Sequence, residues 1–433
     1  MLPMTAPKPP LKAHLINSFA HSRGPVNRLR ARRYGLDVIA GTPPAVEFYY
    51  EPGDTHSHLA AQLLPALEEA LSVPLRIFIV LQEESGIYPE IERQQWFALL
   101  DAQRIAPAMG LTMPTAAAPV SVSERLSACR LLLPHTGDIK AFLRAEREIA
   151  SRLFAGEPLT LDGAQPEAET AKQLAANAAR RMRLGHYLPA MWQFNGEWFW
   201  AVDRFPLLLE RLKERSLLRG NVPTLTWQTD RAELGASPDP QQPLEFFYSF
   251  RSPYSYLAAV QLQRLLPRIK RPVAIRPVLP MAMRGFTVPL AKRLYILRDT
   301  AREAAQLDIP FGFACDPIGA GAMRCLKTFP LATDTQQQLD FLVSASRAAW
   351  SEGIDLASDA GLRLAAERAG LNWHEVEARL NGDDIVYAEK NREALFAAGF
   401  WGVPSFRLGE FGTWGRDRLW MIEELLRRSD TLE

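Results

Sequence analysis

The sixteen-residue segment VEFYYEPGDTHSHLAA beginning at Val46 aligns without a gap on LEFFYSFRSPYSYLAA beginning at Leu244, an offset of 198 residues from 46 to 244. The register persists: Pro74, Ile77 and Val80 fall on Pro272, Ile275 and Val278, and Asp101 and Arg104 fall on Asp299 and Arg302. Further on, Trp200, Asp203 and Arg204 meet Trp414, Asp417 and Arg418 at an offset of 214, from 200 to 414. Pro189 and Pro404 pair one residue out of step. A period this long is not that of a solenoid, whose units run to ~20–45 residues. The chain has to fold as two copies of one domain plan.

Each copy reads in the same order. A short apolar strand (Val46–Tyr50; Leu244–Phe250) leads into a helix starting near Thr55 or Pro253, and a β-rich run follows (Leu75–Leu81; Val273–Leu279). A long helical stretch comes next. A pair of short strands closed by a helix ends each copy, in the second Ser405–Leu408, Gly412–Trp414 and about Arg416 to Arg428. A β-α-β beginning and a β-β-α ending with helices between them predict an α/β protein of two tandem thioredoxin-like folds, each with a helical insertion. The expected divisions are a basic N-terminal arm (1–44), a first domain (45–216), a linker rich in Gly and Pro (217–242) and a second domain (243–433).

Composition narrows the function classes. The 50 Lys+Arg and 49 Asp+Glu leave a net charge of +1, which gives no footprint for nucleic acid. No apolar run approaches the ~20 residues of a membrane span. Cys129, Cys315 and Cys325 form no C-x-x-C pair and no zinc-ligand spacing, so the expectation is a cytoplasmic protein without a metal. No Asp or Glu precedes Asp37, whereas Lys8, Lys12, Arg23, Arg28, Arg30, Arg32 and Arg33 do. That pattern fits a transit peptide or a basic arm lying on the protein's own surface; the prolines at 3, 7, 9, 10 and 25 favour the arm.

Three elements of the second copy offer chemistry. Ser252-Pro253-Tyr254-Ser255 stands between the first strand and first helix, with Pro253 suited to the first helical turn and Ser252 to the N-cap. Free N–H groups and the helix dipole favour an anion there, although capping alone is the commoner role. Gly402-Val403-Pro404 precedes a strand, where a proline is either an edge-strand residue or cis. Trp414-Gly415-Arg416-Asp417-Arg418 opens the last helix, where Asp417 suits the N-terminus and also a ligand ammonium.

Together these elements resemble the 2-hydroxychromene-2-carboxylate isomerase and kappa-class glutathione transferase branch of the DsbA-like thioredoxin family, the isomerases more closely. The resemblance rests on FFYSFRSPYSYLA from Phe246, IRPVLP from Ile275, GAMRCL from Gly321, AWSEGI from Ala349 and GVPSFRLGEFGTWGRDRL from Gly402. It implies glutathione as cofactor. Ser252 would take the nucleophile position of thioredoxin-like oxidoreductases and donate a hydrogen bond to the glutathione sulfur. Val403 and a cis Pro404 would pair with the cysteinyl part, Arg416 and Asp417 would hold the γ-glutamyl end, and Lys292 would meet a carboxylate. Two departures stand out: Ser249 replaces the Asp usual three residues before the serine, and Arg251 intrudes directly before it.

In the first copy Asp54 and Thr55 replace Ser252 and Pro253, and a carboxylate repels the thiolate this position should stabilise. A degenerate copy is expected, one that completes the site or forms an intramolecular pseudo-dimer, with a homodimer as the other arrangement. His56 and His58 imitate a metal-binding H-x-H but occupy the slots of Tyr254 and Tyr256; on a helix they diverge by about 200°. Met323, Arg324 and Cys325, and the aromatic pair Phe400-Trp401, either line a substrate pocket or serve the fold. The expected partner is a small molecule, and the expected function is glutathione-dependent isomerisation or transfer on a hydrophobic conjugated electrophile. The alternative is a redox-silent scaffold binding a thiol, peptide or protein. A disulfide oxidoreductase is disfavoured because neither loop holds a cysteine.

Overall fold

Strand β1 (Val46–Tyr50) is buried at all five positions, which requires cover on both faces of its sheet. Its neighbours are β2 (Leu75–Ile79), β3 (Met191–Phe194) and β4 (Glu197–Trp200), in the order β2-β1-β3-β4. β1 runs parallel to β2 with Val46 facing Leu75, and antiparallel to β3 with Phe48 facing Trp192. The structure is a computed structural model and describes residues 9–21, 29, 32, 44–81, 90–116, 118–220, 225–236, 238–286, 288–382 and 385–432. Two compact units result, Leu29–Glu233 and Leu234–Glu433, the second also holding the helix Leu11–Ala20.

The second unit repeats the plan with β5 (Leu244–Tyr248), β6 (Val273–Pro277), β7 (Ser405–Leu408) and β8 (Phe411–Trp414), in the order β6-β5-β7-β8. Leu244 faces Val273, Phe246 faces Phe406 and Ser405 faces Trp414. Every one of these rungs is a first-unit rung advanced by one of the two sequence offsets. The sheets therefore share one register, and both units are thioredoxin-like α/β folds with helical insertions. The change of offset falls wholly between β6 and β7, where the helices of the insertion lie.

Cross-strand aromatic pairs sit at matched places in the two cores. Phe48 stacks on Trp192 at 4.2 Å between centroids, and Phe246 on Phe406 at 4.9 Å. Each central strand also buries one carboxylate, and a buried charge must be paired. Glu47 accepts from the Tyr49 hydroxyl at 2.7 Å and pairs with Arg180; Glu245 pairs with Arg276 and Arg407. An asparagine closes the end of each parallel pair. Asn177 Nδ2 donates to the Ile79 carbonyl at 2.8 Å, and Asn391 Nδ2 to the Pro277 carbonyl at 2.9 Å.

Of the basic arm, the helix Leu11–Ala20 fits between Pro10 and His21 and packs on the second unit's helix Leu290–Gln306. The Arg298 guanidinium lies 3.8 Å from the centroid of Phe19, and His21 Nε2 donates to the Phe311 carbonyl at 2.7 Å. Gly353, at φ +68°, leaves room for this helix: a Cβ there would stand 2.9 Å from Ala13 Cβ. Lys8, Arg23, Arg28, Arg30 and Arg33 lie outside the described residues. The segment read as a linker begins against the first unit, where the Arg219 N–H donates to the Ala70 carbonyl at 2.7 Å and Gln228 N–H to that of Ala108 at 2.7 Å. Among the described residues, no helix is long and apolar enough to cross a membrane.

The asparagine bonds give a measurable expectation. Asn391→Ala leaves the Pro277 carbonyl without its donor and should destabilise the second unit by ~1–3 kcal/mol in chemical denaturation. Asn177→Ala should do the same to the first unit by way of Ile79, and wild-type midpoints in both variants would refute the equivalence.

Candidate active site

Three segments distant in sequence reach one end of the second sheet. β5 runs out into Ser249–Ser252, and the pairing of Phe247 with Ser405 sets Pro404 beside that exit. Ser405 in turn faces Trp414, and the Gly415 N–H donates to the Pro404 carbonyl at 2.8 Å, which brings in the turn Arg416–Arg418. The helix Pro253–Leu265 packs against that turn. Ser252, Val403, Pro404, Arg416 and Asp417 thus gather at that end.

Ser252 is the N-cap of its helix: its Oγ accepts from the Ser255 N–H at 3.1 Å, with Pro253 in the first turn. A hydroxyl that accepts in this way still has a proton to donate, so capping and ligand donation coexist in one atom. Arg251, directly before Ser252, turns to a carboxylate. Asp316 holds it in a two-point ion pair, Nε to Oδ1 at 2.9 Å and Nη2 to Oδ2 at 2.9 Å.

The Val403–Pro404 peptide is cis, and the Ser405 hydroxyl donates to the Gly402 carbonyl at 2.8 Å across it. Trp401 packs at a 39° tilt against Trp414 with ring centroids 5.0 Å apart, and the Phe400 ring lies so close over Gly412 that a Cβ there would stand 2.5 Å from Cζ. Both aromatic side chains are buried and shape the loop. Arg416 reaches two carboxylates with Nη2, those of Glu303 and Asp417. Its Nε is buried with no acceptor among the described residues.

The long helix Leu290–Gln306 supplies groups that sequence reasoning did not assign. Asp299, buried, accepts from the Tyr254 hydroxyl at 2.7 Å and from Arg302 Nη2 at 3.0 Å. Glu303, one turn on, carries the Arg416 pair. Lys292 sits two turns before Asp299, hence on the same face, and burial lowers its pKa below the ordinary 10.5. The signal for Asp299 and Arg302 was present in their match to Asp101 and Arg104; Glu303 has none, because its counterpart is Ile105.

The first unit fills the equivalent places differently. The Asp54 carboxylate caps the helix by accepting from the Ser57 N–H at 2.8 Å, so that N-terminus already holds an anion of its own. The sheet register puts Ala190, at φ +54°, where the second unit has Pro404. His56 Nε2 lies 3.1 Å from Asp101, and His58 Nδ1 lies 2.7 Å from Glu146, which also accepts from the Tyr50 hydroxyl at 2.9 Å. The two imidazoles turn to carboxylates on different helices, and no group of three metal-ligating side chains occurs among the described residues. Arg324 pairs with Asp359, and Cys325 is fully buried, its thiol pushed up by desolvation.

Residues 243–427 match the family model of the DSBA-like thioredoxin domain, and with the sheet order above they define the second half as a thioredoxin domain of that class. More particularly, the chain is 28% identical to a 2-hydroxychromene-2-carboxylate isomerase of Sphingobium xenophagum over 199 residues, 42% of this chain and 97% of the relative. It is 29% identical to the protein of the same name from Pseudomonas putida over 201 residues, 43% of this chain and 94% of the relative. A solved structure of a 2-hydroxychromene-2-carboxylate isomerase is 24% identical and covers 43% of this chain and 95% of its own, with a TM-score of 0.38.

The lowered pKa of Lys292 has a signed consequence. Below the folded-state value both states hold the proton and the part-buried ammonium opposes folding in full; that opposition fades between the folded-state value and 10.5, where the unfolded chain keeps the proton and the native protein loses it. Lys292→Met should therefore raise the melting temperature at pH 7, with a gain that shrinks in alkali. A gain independent of pH would contradict the burial argument.

Proposed function

We propose that the second half is a glutathione-dependent isomerase or transferase acting on a hydrophobic, conjugated electrophile, as its relatives' name suggests. The observation that carries this reading is the meeting, at one end of the sheet, of a serine-capped helix N-terminus, the Val403–Pro404 loop and the Arg416–Asp417 pair. Bound glutathione would supply a thiol that adds to the substrate and leaves after the bond between has turned.

The chain's own groups have defined tasks in that scheme. The Ser252 hydroxyl donates to the sulfur, and the helix N-terminus favours its anion. Val403 offers backbone groups to the cysteinyl residue. Arg416 and Asp417, of opposite charge, suit the α-carboxylate and α-ammonium of a γ-glutamyl end, and Lys292 suits a second carboxylate. The three cysteines are unpaired, in keeping with the reducing cytoplasm, where a thiol cofactor stays reduced. The alternative, a redox-silent binding scaffold, draws its support from the first unit, where Asp54 stands in the serine's place.

Calorimetric titration of glutathione decides between them. The wild type should bind, and Asp417→Ala should weaken binding by about tenfold or more, the magnitude of one charge-assisted hydrogen bond. Ser252→Ala should leave binding measurable but raise the pKa of the bound thiol, read from its ultraviolet thiolate absorbance. No heat at millimolar glutathione would remove the cofactor and turn the search to protein partners.

A further inference from the structure

The two units give an internal comparison of which polar groups belong to the fold and which to the site. Around the last turn, Asp101, Arg104, Trp200, Asp203 and Arg204 match Asp299, Arg302, Trp414, Asp417 and Arg418. These are common equipment. The same alignment sets Glu303 on Ile105 and Arg416 on Val202, and both first-unit residues are fully buried apolar side chains. The fold closes this corner with two aliphatic groups in one copy and with a buried ion pair in the other.

Stability does not explain the exchange, because a buried ion pair is often no better than well-packed apolar residues of similar volume. The geometry of Arg416 points elsewhere. Its Nη2 engages both carboxylates, while Nε is buried with no acceptor among the described residues. A guanidinium carries five N–H donors, and two carboxylates met at one nitrogen leave donors for a third group. A guanidinium suits a carboxylate or phosphate, but a bare anion here would approach Glu303 and Asp417 as well. A zwitterionic α-amino-acid group avoids that repulsion, because its ammonium meets a carboxylate while its own carboxylate meets Arg416.

We infer that Glu303 is a positioning residue that holds Arg416 for the α-carboxylate of the ligand, and that the site thereby selects thiols ending in an intact α-amino-acid group. The inference rests on the glutathione reading and specifies which end of the thiol compound is read. Glu303 itself acts through Arg416.

The test compares glutathione with 4-aminobutyryl-Cys-Gly, which is glutathione without its α-carboxylate, by calorimetry on the full chain. Wild type should prefer glutathione by about tenfold or more, and Glu303→Gln should compress that preference to within about threefold. General damage to the fold would weaken both peptides by the same factor, so a preference unchanged in Glu303→Gln overturns the role, as does equal binding by wild type. Should Glu303→Gln fail to fold, Glu303→Ile, which copies the first unit's residue and leaves Arg416 in place, decides the matter. Equal binding of the two peptides by that variant supports the inference, and a retained preference refutes it. Wild type that binds neither peptide removes the glutathione reading and this one together, a result distinct from binding without discrimination.

Discussion

The rung between Phe247 and Ser405 joins residues that the chain separates by its whole helical insertion. Everything at the site hangs from it. Because β5 ends one residue later and β7 begins with Ser405, the rung sets the exit to Ser252 beside the Val403–Pro404 loop without any side chain having to bridge them. The next strand then inherits the alignment, and Gly415 closes on the Pro404 carbonyl. A slip of one residue would turn every side chain of β7 to the opposite face. The aromatic stack of Phe246 on Phe406 opposes such a slip from within the core.

Duplication separates architecture from chemistry in a way that one domain alone does not. Both units bury a glutamate in the central strand, tie off the parallel pair with an asparagine, and place an aspartate in the middle of the long helix. What accepts from or donates to those groups has changed. Asp101 meets an imidazole and Asp299 a phenol; Glu47 is matched by one arginine and Glu245 by two. The framework tolerates these exchanges because each preserves a partner for a buried charge, which is the condition that must not be broken. Asp54 and Ser252 both satisfy the helix N-terminus equally well as caps, yet only one leaves that terminus receptive to an outside anion.

Sheet, order and site edge were legible in the sequence because strands are local and the repeat supplies a second reading of each. Val46–Tyr50 and Ser405–Leu408 have the bounds expected of them, whereas Leu244–Phe250 stops short at Tyr248, where the chain turns towards the capped helix. The partners of Arg251, Arg324 and Arg416 were not legible. Asp316, Asp359 and Glu303 all lie within the helical insertion, whose packing against the sheet is set by tertiary contacts rather than by any pattern in the motif. Pro189 stands one residue out of step, as the alignment has it: the register sets Ala190 at Pro404's place, and a left-handed residue there turns the chain by other means. The helix Leu11–Ala20 was hidden by prolines that turn out to bound it rather than interrupt it.

That helix makes the first unit, in chain order, a guest inside the second. The polypeptide lays down Leu11–Ala20, departs to build an entire sheet and its helices, and returns more than two hundred positions later to the surface on which the helix rests. A cut between the halves would therefore not yield two whole domains. The downstream piece would leave behind its cover for Arg298 and Gly353 and expose the flank of the helix that carries Lys292, Asp299 and Glu303. During synthesis the same nesting imposes an order: the guest can finish before its host has a complete surface, and the host closes last over a segment made first.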